Sequence, residues 1–238
     1  MLDLHCHILP GLDDGSKTLD EALSMCRVAA GDGIHTIVAT PHRGSFAADT
    51  TAAQVLEGIK KLKKALRQKH IAIDILPGHE IHISEDLIND IDHDQALTIN
   101  HKKKYILLEL PFRSVPFYVF ETIAQLKKMG ITPIIAHPER NDQIQTDKHL
   151  MKNLVKAGAL TQITGGSLTG ELGAVVQRTA VVFIKKGLVH VIASDAHSID
   201  HPPKLSPYVE EAAKIVGEKQ AKALVGDNPR KIVLGLSF

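Results

Sequence analysis

The sequence has no tryptophan, three tyrosines and two cysteines. It also has no apolar run near the roughly 18 residues that a membrane-spanning helix needs. The two thiols, Cys6 and Cys26, form neither a Cys-x-x-Cys motif nor a disulfide framework, which fits a reducing compartment. No sign of charge dominates: 28 Lys and Arg against 27 Asp and Glu leave a net charge of +1. Nothing in that balance favours nucleic acid or an anionic membrane surface. No signal-peptide pattern precedes Asp3, no Gly-x-Gly-x-x-Gly follows the first strand-like run, and no repeat, low-complexity tract or linker interrupts the chain. These absences predict a cytoplasmic protein with no membrane insertion and no dinucleotide, built as one domain over residues 1–238.

Histidine is what the chain has in excess, with 14 residues. The opening MLDLHCHILPGLDDG sets His5 and His7 one residue apart. Strand side chains alternate, so the two imidazoles share a face and Cys6 takes the other. Two neutral imidazoles gain little from each other, whereas a shared cation gives the pairing a purpose.

Short apolar runs at 2–9, 35–40, 71–76, 105–110, 132–137, 159–164 and 190–195 read as strands. Between them, Val55, Leu56, Ile59, Leu62 and Leu66 recur at helical spacing opposite a solvated lysine face. Ile123, Leu126 and Met129 make a second helix stopped by Gly130. Further helices are expected over about 171–186 and 207–216, with a short helix start after Ser84. Regular alternation predicts an α/β fold with a parallel sheet. Seven strands in one domain of this length favour a barrel over a doubly wound sheet.

In such barrels the reacting groups sit where strands end. There this chain places His5, His7 and Asp14, then His42, Glu80, Glu109, His137, Asp195 and His197. Among the runs, only the sixth delivers neither a histidine nor a carboxylate. Four carboxylates gathered without a cation would repel strongly, and no comparable set of Lys or Arg lies at the same ends. Five imidazoles and four carboxylates exceed the needs of one tetrahedral ion and suit two or three divalent ions with open positions. Nitrogen and oxygen donors without thiolate point to Mn²⁺, Fe or Zn²⁺.

The stretches DLHCHILPGLDDG, TPHR, GHEI, LLELPF, IAHPERN, QITGGSLTG, IASDAH and DNPRKIVLG occur in that order over essentially the whole chain. Together they resemble the PHP (polymerase and histidinol phosphatase) superfamily. More narrowly, the chain is similar to the bacterial protein-tyrosine phosphatases that act beside capsule and exopolysaccharide tyrosine kinases. Cys6 is a departure, since serine is the commoner residue there. The resemblance implies a distorted, TIM-like barrel of seven β/α units, the PHP fold, carrying a trinuclear centre. It implies a first ion on His5, His7, Glu80 and Asp195, and a second on Glu80, Glu109 and His137, with Glu80 and Glu109 able to exchange the bridging role. A third ion is implied on Asp14, His42 and His197. The implied reaction is phosphotyrosine hydrolysis by metal-activated hydroxide, with Mn²⁺ favoured and a tyrosine autokinase as substrate; oligomeric state stays open.

Arg140 and Arg43, each beside an expected ligand, are the candidates to clamp phosphate oxygens, with Glu109 beside the reacting group. Asp13 reads as a turn-former. Phe112, Phe117 and Tyr118 read as core, with an aryl cradle as the alternative. Residues 43–51 read as a mobile lip. A cysteine-dependent phosphatase is excluded, because the positions six residues after the thiols are Leu12 and Asp32 rather than arginine. The alternatives are a phosphatase for a small metabolite such as histidinol phosphate, a nucleic-acid phosphoesterase, an amidohydrolase, and a non-catalytic regulatory subunit of a polysaccharide assembly.

Overall fold

The computed structural model describes residues 1–45 and 48–238. Its strands are β1 (Leu2–Cys6), β2 (Thr36–Ala39), β3 (His42–Arg43), β4 (Asp74–Pro77), β5 (Glu80–His82), β6 (Tyr105–Glu109), β7 (Thr132–Ala136), β8 (Leu160–Thr164) and β9 (Val191–Ala193). Its α-helices are α1 (Leu19–Gly31), α2 (Ala52–Gln68), α3 (Leu87–Asp92), α4 (Val119–Lys128), α5 (Asp142–Thr146), α6 (Lys148–Ala157), α7 (Gly165–Thr169), α8 (Ala174–Lys185), α9 (Ser206–Val216), α10 (Glu218–Val225) and α11 (Asp227–Leu234).

Each of the seven expected strands is present, with shifted ends. The third begins at Asp74 rather than residue 71, because Ile71 to Ile73 are used to leave α2: the Ile71 N–H caps it at the Leu66 carbonyl. Two short strands were not expected. β3 continues β2 beyond Thr40-Pro41, and β5 continues β4 beyond Gly78-His79. Proline cannot donate to a ladder, and at Gly78 an added Cβ would lie 3.0 Å from Val38 Cγ1. The strands therefore break at these points and resume with His42 paired to Glu80.

Every ladder is parallel, as expected for β/α repeats. One runs β1-β2-β4 and the other β3-β5-β6-β7-β8-β9. The two broken strands carry the chain from the first ladder to the second. At the remaining seam, β9 meets β1 through a bridge between Cys6 and Ala196 rather than a full ladder. Two backbone bonds of 2.9 Å support it, from Asp195 N–H to the His5 carbonyl and from His7 N–H to the Ala196 carbonyl. The result is a distorted α/β barrel of the TIM-like kind rather than a doubly wound sheet.

Side chains divide accordingly. Leu4, Val38, Leu107 and Ile134 point into the ring and meet Ile232 and Val233 of α11, which covers the end where strands begin. Burying each such side chain stabilises the fold by about 1.5–3 kcal/mol. A larger outer layer, including Cys6, Ile37, Ile75, Leu108 and Ile135, packs under the helices. Strict alternation would put Leu4 and Cys6 on one face. A register shift in β1 between Asp3 and Cys6 breaks that rule. Leu4 can then join the inner layer and Cys6 the outer one, with both histidines turned to the open mouth.

The helices follow their sequence signals closely. Thr51 and Gln54 form a reciprocal capping box at the start of α2. Gly130, at φ +76°, follows α4 as its stop. The helix expected over 171–186 begins at Ala174 instead. Gly170 and Gly173, both at positive φ, turn the chain between α7 and α8.

Candidate metal centre

The mouth at the strand ends holds a cavity of about 500 Å³. Asp14, His42, Glu80, Glu109, His137, Asp195 and His197 line it, with His5 and His7 buried beneath. All nine expected ligands therefore come together. Glu80 sits at their centre. Its Oε2 is 3.3 Å from both His5 Nε2 and His7 Nε2 and 3.1 Å from His42 Nδ1, while Oε1 is 2.8 Å from His137 Nε2. Asp195 Oδ1 lies 3.2 Å from His5 Nε2. Glu109 spans the other side, 3.8 Å from His137 Nε2 and 3.9 Å from His42 Nδ1. Asp14, half exposed, is 3.5 Å from His42 Nε2 and 3.6 Å from His197 Nε2. Three overlapping groups place one donor atom each within 4.8 Å of the others: His5, His7 and Glu80; His42, Glu80 and Glu109; and His7, Asp14, His42 and His197.

Hydrogen bonds behind the imidazoles fix which nitrogen faces the cavity. Asp13 Oδ2 accepts from His7 Nδ1 at 2.7 Å, and Gln162 Oε1 accepts from His5 Nδ1 at 2.9 Å. His197 Nδ1 donates to the Asp195 carbonyl at 2.8 Å. In the neutral, metal-ligating form, with Nδ1 carrying the proton in His5 and His7, both Nε2 atoms present lone pairs, and these stand 3.1 Å apart. Two lone pairs that close call for a cation between or beside them. His42 Nδ1 is buried and has no hydrogen-bond partner despite its closeness to Glu80. The donor set and this orphaned nitrogen fit divalent metal ions.

Electrostatics make the same demand. Burial opposes charge on His5 and His7. The carboxylates of Glu80 and Asp195 more than offset it for His5, lifting its pKa to about 9, and Asp13 and Glu80 do so for His7, which lies well above its ordinary value. Burial likewise opposes charge on Glu80 and Asp195, yet the facing imidazoles hold both carboxyls below the usual range. The pocket is built to hold positive charge among carboxylates. Two of its residues adopt left-handed backbone: His137 at φ 31° and Asp195 at φ 54°. Neither is glycine, and such strain concentrates where a side chain must be aimed.

Some expectations change. Arg43, expected to clamp phosphate, has its guanidinium paired with Asp90 at 3.0 Å and Asp49 at 3.1 Å and does not line the cavity. His42 and Arg43 are neighbours on β3, so alternation turns one in and the other out. Arg140 does line the cavity, with Nη1 on Asp195 Oδ2 at 2.7 Å. Asp13 turns the loop by accepting from the Gly15 N–H, but it also orients His7 and accepts from the His42 N–H at 3.1 Å. Phe112 is 48% exposed and Phe117 91% exposed, so neither is core; Tyr118 is partly buried against the outer layer. His82 was not anticipated; it lines the cavity with Nδ1 3.3 Å from Glu109 Oε2. Of the lip expected at 43–51, Phe46 and Ala47 lie outside the described residues, and Ser45 lines the cavity. Cys6 and Cys26 are buried free thiols, with burial raising the first well above its ordinary value and the second to about 12. Neither has the exposed, electropositive setting that activates a thiol.

Known proteins are similar to this chain over most of its length. The tyrosine-protein phosphatase YwqE of Bacillus subtilis is 40% identical over 199 residues, spanning 84% of this chain and 78% of that protein. The tyrosine-protein phosphatase CpsB of Streptococcus pneumoniae is 30% identical over 243 residues, spanning 98% of each. A solved structure from work on those two proteins, described as unique metal-dependent tyrosine phosphatases, superposes with a TM-score of 0.95 at 35% identity. It covers all of this chain and 96% of that one. The model of the capsular polysaccharide synthesis family CpsB/CapC matches residues 1–234, and this chain belongs to that family.

Proposed function

We propose that the chain is a metal-dependent protein-tyrosine phosphatase of capsular or exopolysaccharide synthesis, acting on a phosphotyrosine-bearing bacterial tyrosine kinase. The observation that carries the reading is the convergence of five imidazoles and four carboxylates on one open cavity, with lone pairs of buried histidines facing each other. The named activity of the two relatives supports the choice of ester. His5, His7, Glu80 and Asp195 would hold one ion. Glu80, Glu109 and His137 would hold a second, and Asp14, His42 and His197 a third. Mixed nitrogen and oxygen donors suit Mn²⁺ first, then Fe or Zn²⁺. When bound, such ions supply Lewis acidity, which offsets phosphoryl charge and makes hydroxide available near neutral pH.

The protein's own groups do the rest. Arg140 is held by Asp195 through Nη1, leaving its other N–H groups to grip phosphoryl oxygens at the lip of the cavity. Asp13 and Gln162 keep His7 and His5 in the tautomer that presents Nε2. A phenolic leaving group has a pKa near 10, so its departure depends less on a strong acid than that of an alkyl alcohol. Residues 1–238 act as one unit, in keeping with an outer layer that runs from Cys6 to Val225. The protein works in the cytoplasm; among the described residues no helix is long and apolar enough to cross a membrane.

The test is a substrate panel with Mn²⁺-loaded protein: a phosphotyrosine peptide, histidinol phosphate and short DNA. Peptide hydrolysis should vanish on chelation and in His42→Ala. Faster turnover of histidinol phosphate than of the peptide would replace the reading. Full activity in His42→Ala would remove the third set of ligands.

A further inference from the structure

Apart from Pro111 and Phe112, every described residue lining the cavity is polar or ionisable. Phe112 lines it and is 48% exposed overall. An aromatic ring kept open amid carboxylates and imidazoles gains nothing from its setting unless something apolar covers it. The ring is also fixed. It runs nearly parallel to the His137 imidazole, with centroids 5.7 Å apart and an angle of 14°. The Arg140 guanidinium lies 4.8 Å from its centroid.

The backbone beneath it is pinned as well. Asn141 Nδ2 donates to the carbonyls of Pro111 at 2.7 Å and Ser114 at 3.0 Å, and the Asp142 N–H donates to the Phe112 carbonyl at 2.8 Å. Thus the segment after β7 braces the loop after β6. An apolar surface held this firmly loses little on meeting a ligand.

We propose that Pro111 and Phe112 form an aryl-binding wall that seats the ring of the leaving group, so that the cavity takes aryl phosphates over alkyl phosphates. The proposal rests on the phosphatase reading and names the group which the same cavity selects. A phosphoryl group gripped by Arg140 has its ester oxygen next to the ring that Arg140 itself covers. A phenyl ring leaving from that oxygen lies against Phe112, whereas an alkyl chain offers no π-face. Phe112 acts on specificity; the chemistry stays with the groups around Glu80.

The test measures binding of phenylphosphonate and methylphosphonate to Mn²⁺-loaded protein by calorimetry, in wild type, Phe112→Ala, Phe112→Leu and Phe112→Tyr. In wild type, phenylphosphonate should bind about tenfold more tightly than methylphosphonate. Phe112→Ala should lose most of that ratio, Phe112→Leu should keep part of it, and Phe112→Tyr should retain it. Equal weakening of both ligands in Phe112→Ala would mean that the ring merely props Arg140, and would overturn the proposal. So would an unchanged ratio. Phosphotyrosine hydrolysis by the wild type is scored separately: its absence would sink the phosphatase reading, while the binding ratio would still judge the wall.

Discussion

Replacing Asp13 by asparagine changes one oxygen to an amide and should cost the centre metal affinity out of proportion to the change. Asp13 makes three bonds: Oδ2 accepts from His7 Nδ1 at 2.7 Å and from the His42 N–H at 3.1 Å, and Oδ1 accepts from the Gly15 N–H at 2.9 Å. Asparagine has only one carbonyl oxygen. If that oxygen faces His7, the NH₂ group confronts the Gly15 N–H. If it faces Gly15, the NH₂ group confronts His7 Nδ1–H and drives the imidazole to the other tautomer. The proton would then sit on Nε2, the atom that faces His5 and Glu80.

Groups behind a metal ligand are typically worth 10- to 100-fold in affinity, which corresponds to about 1.4–2.7 kcal/mol. Fold stability should fall too, by roughly 1–3 kcal/mol for the amide left facing a donor. At this chain length that lowers Tm by about 2–4 °C per kcal/mol. Elemental analysis of protein equilibrated across a series of free Mn²⁺ concentrations gives the affinity, and thermal unfolding in excess chelator gives the stability. A binding curve for Asp13→Asn within about twofold of wild type would refute the tautomer argument.

The two arginines should part company: Arg140→Met should lower kcat/KM for a phosphotyrosine peptide by roughly a hundredfold, as expected for loss of a charged clamp. Arg43→Met should act mainly on Tm, since its partners are Asp49 and Asp90; a hundredfold loss of kcat/KM there would restore it to the site. Gly15→Ala should destabilise the fold by about 3 kcal/mol or more, because the new Cβ would lie 2.2 Å from the His7 carbonyl oxygen. Chemical denaturation measures that loss, and a stability equal to wild type would contradict the packing of the Asp13–Gly15 loop against β1. Joint replacement of Cys6 and Cys26 by alanine should leave peptide hydrolysis intact, and inactivation would reopen a thiol mechanism.

Much of the site was legible because its expected ligands fall at strand ends and because the His-x-His spacing survives the register shift in β1. What escaped was decided by geometry that composition does not encode. Asp13 and Asp14 are the same residue side by side, yet Asp13 bends back to His7 while Asp14 stands half exposed beside His42 and His197. Only the closeness of Gly15 to His7 separates them. Phe112 follows Leu110 and Pro111 and carries the composition of a core residue; its place on the open wall depends on Asn141, thirty positions on from Pro111. The outward turn of Arg43 could have been read from its adjacency to His42. Helix α1 could also have been read, since Ala22, Leu23, Cys26 and Ala29 follow helical spacing. β3 and β5 could not: two or three residues of His, Arg, Glu and Ile carry no strand signal of their own.

The left-handed turns at His137 and Asp195 show why such a site still folds. Each costs on the order of 1–3 kcal/mol relative to ordinary backbone. Each also stands where a strand has just ended, so an extended continuation would carry the side chain along the barrel axis and out of the mouth. The turn instead brings His137 Nε2 to 2.8 Å from Glu80 Oε1, and Asp195 Oδ1 to 3.2 Å from His5 Nε2. Local structure offsets the cost. The Asp195 N–H is tied to the His5 carbonyl, its Oδ2 accepts from Arg140 and Thr164, and Pro138 follows His137 as the first residue of a short 3₁₀ turn. Glu139, buried in that turn, accepts from the Thr164 N–H and from Ser167 Oγ, locking the end of β7 to the end of β8. The strain is therefore held by contacts between neighbouring strands, and the barrel has to form before these imidazoles and carboxylates can point at one another.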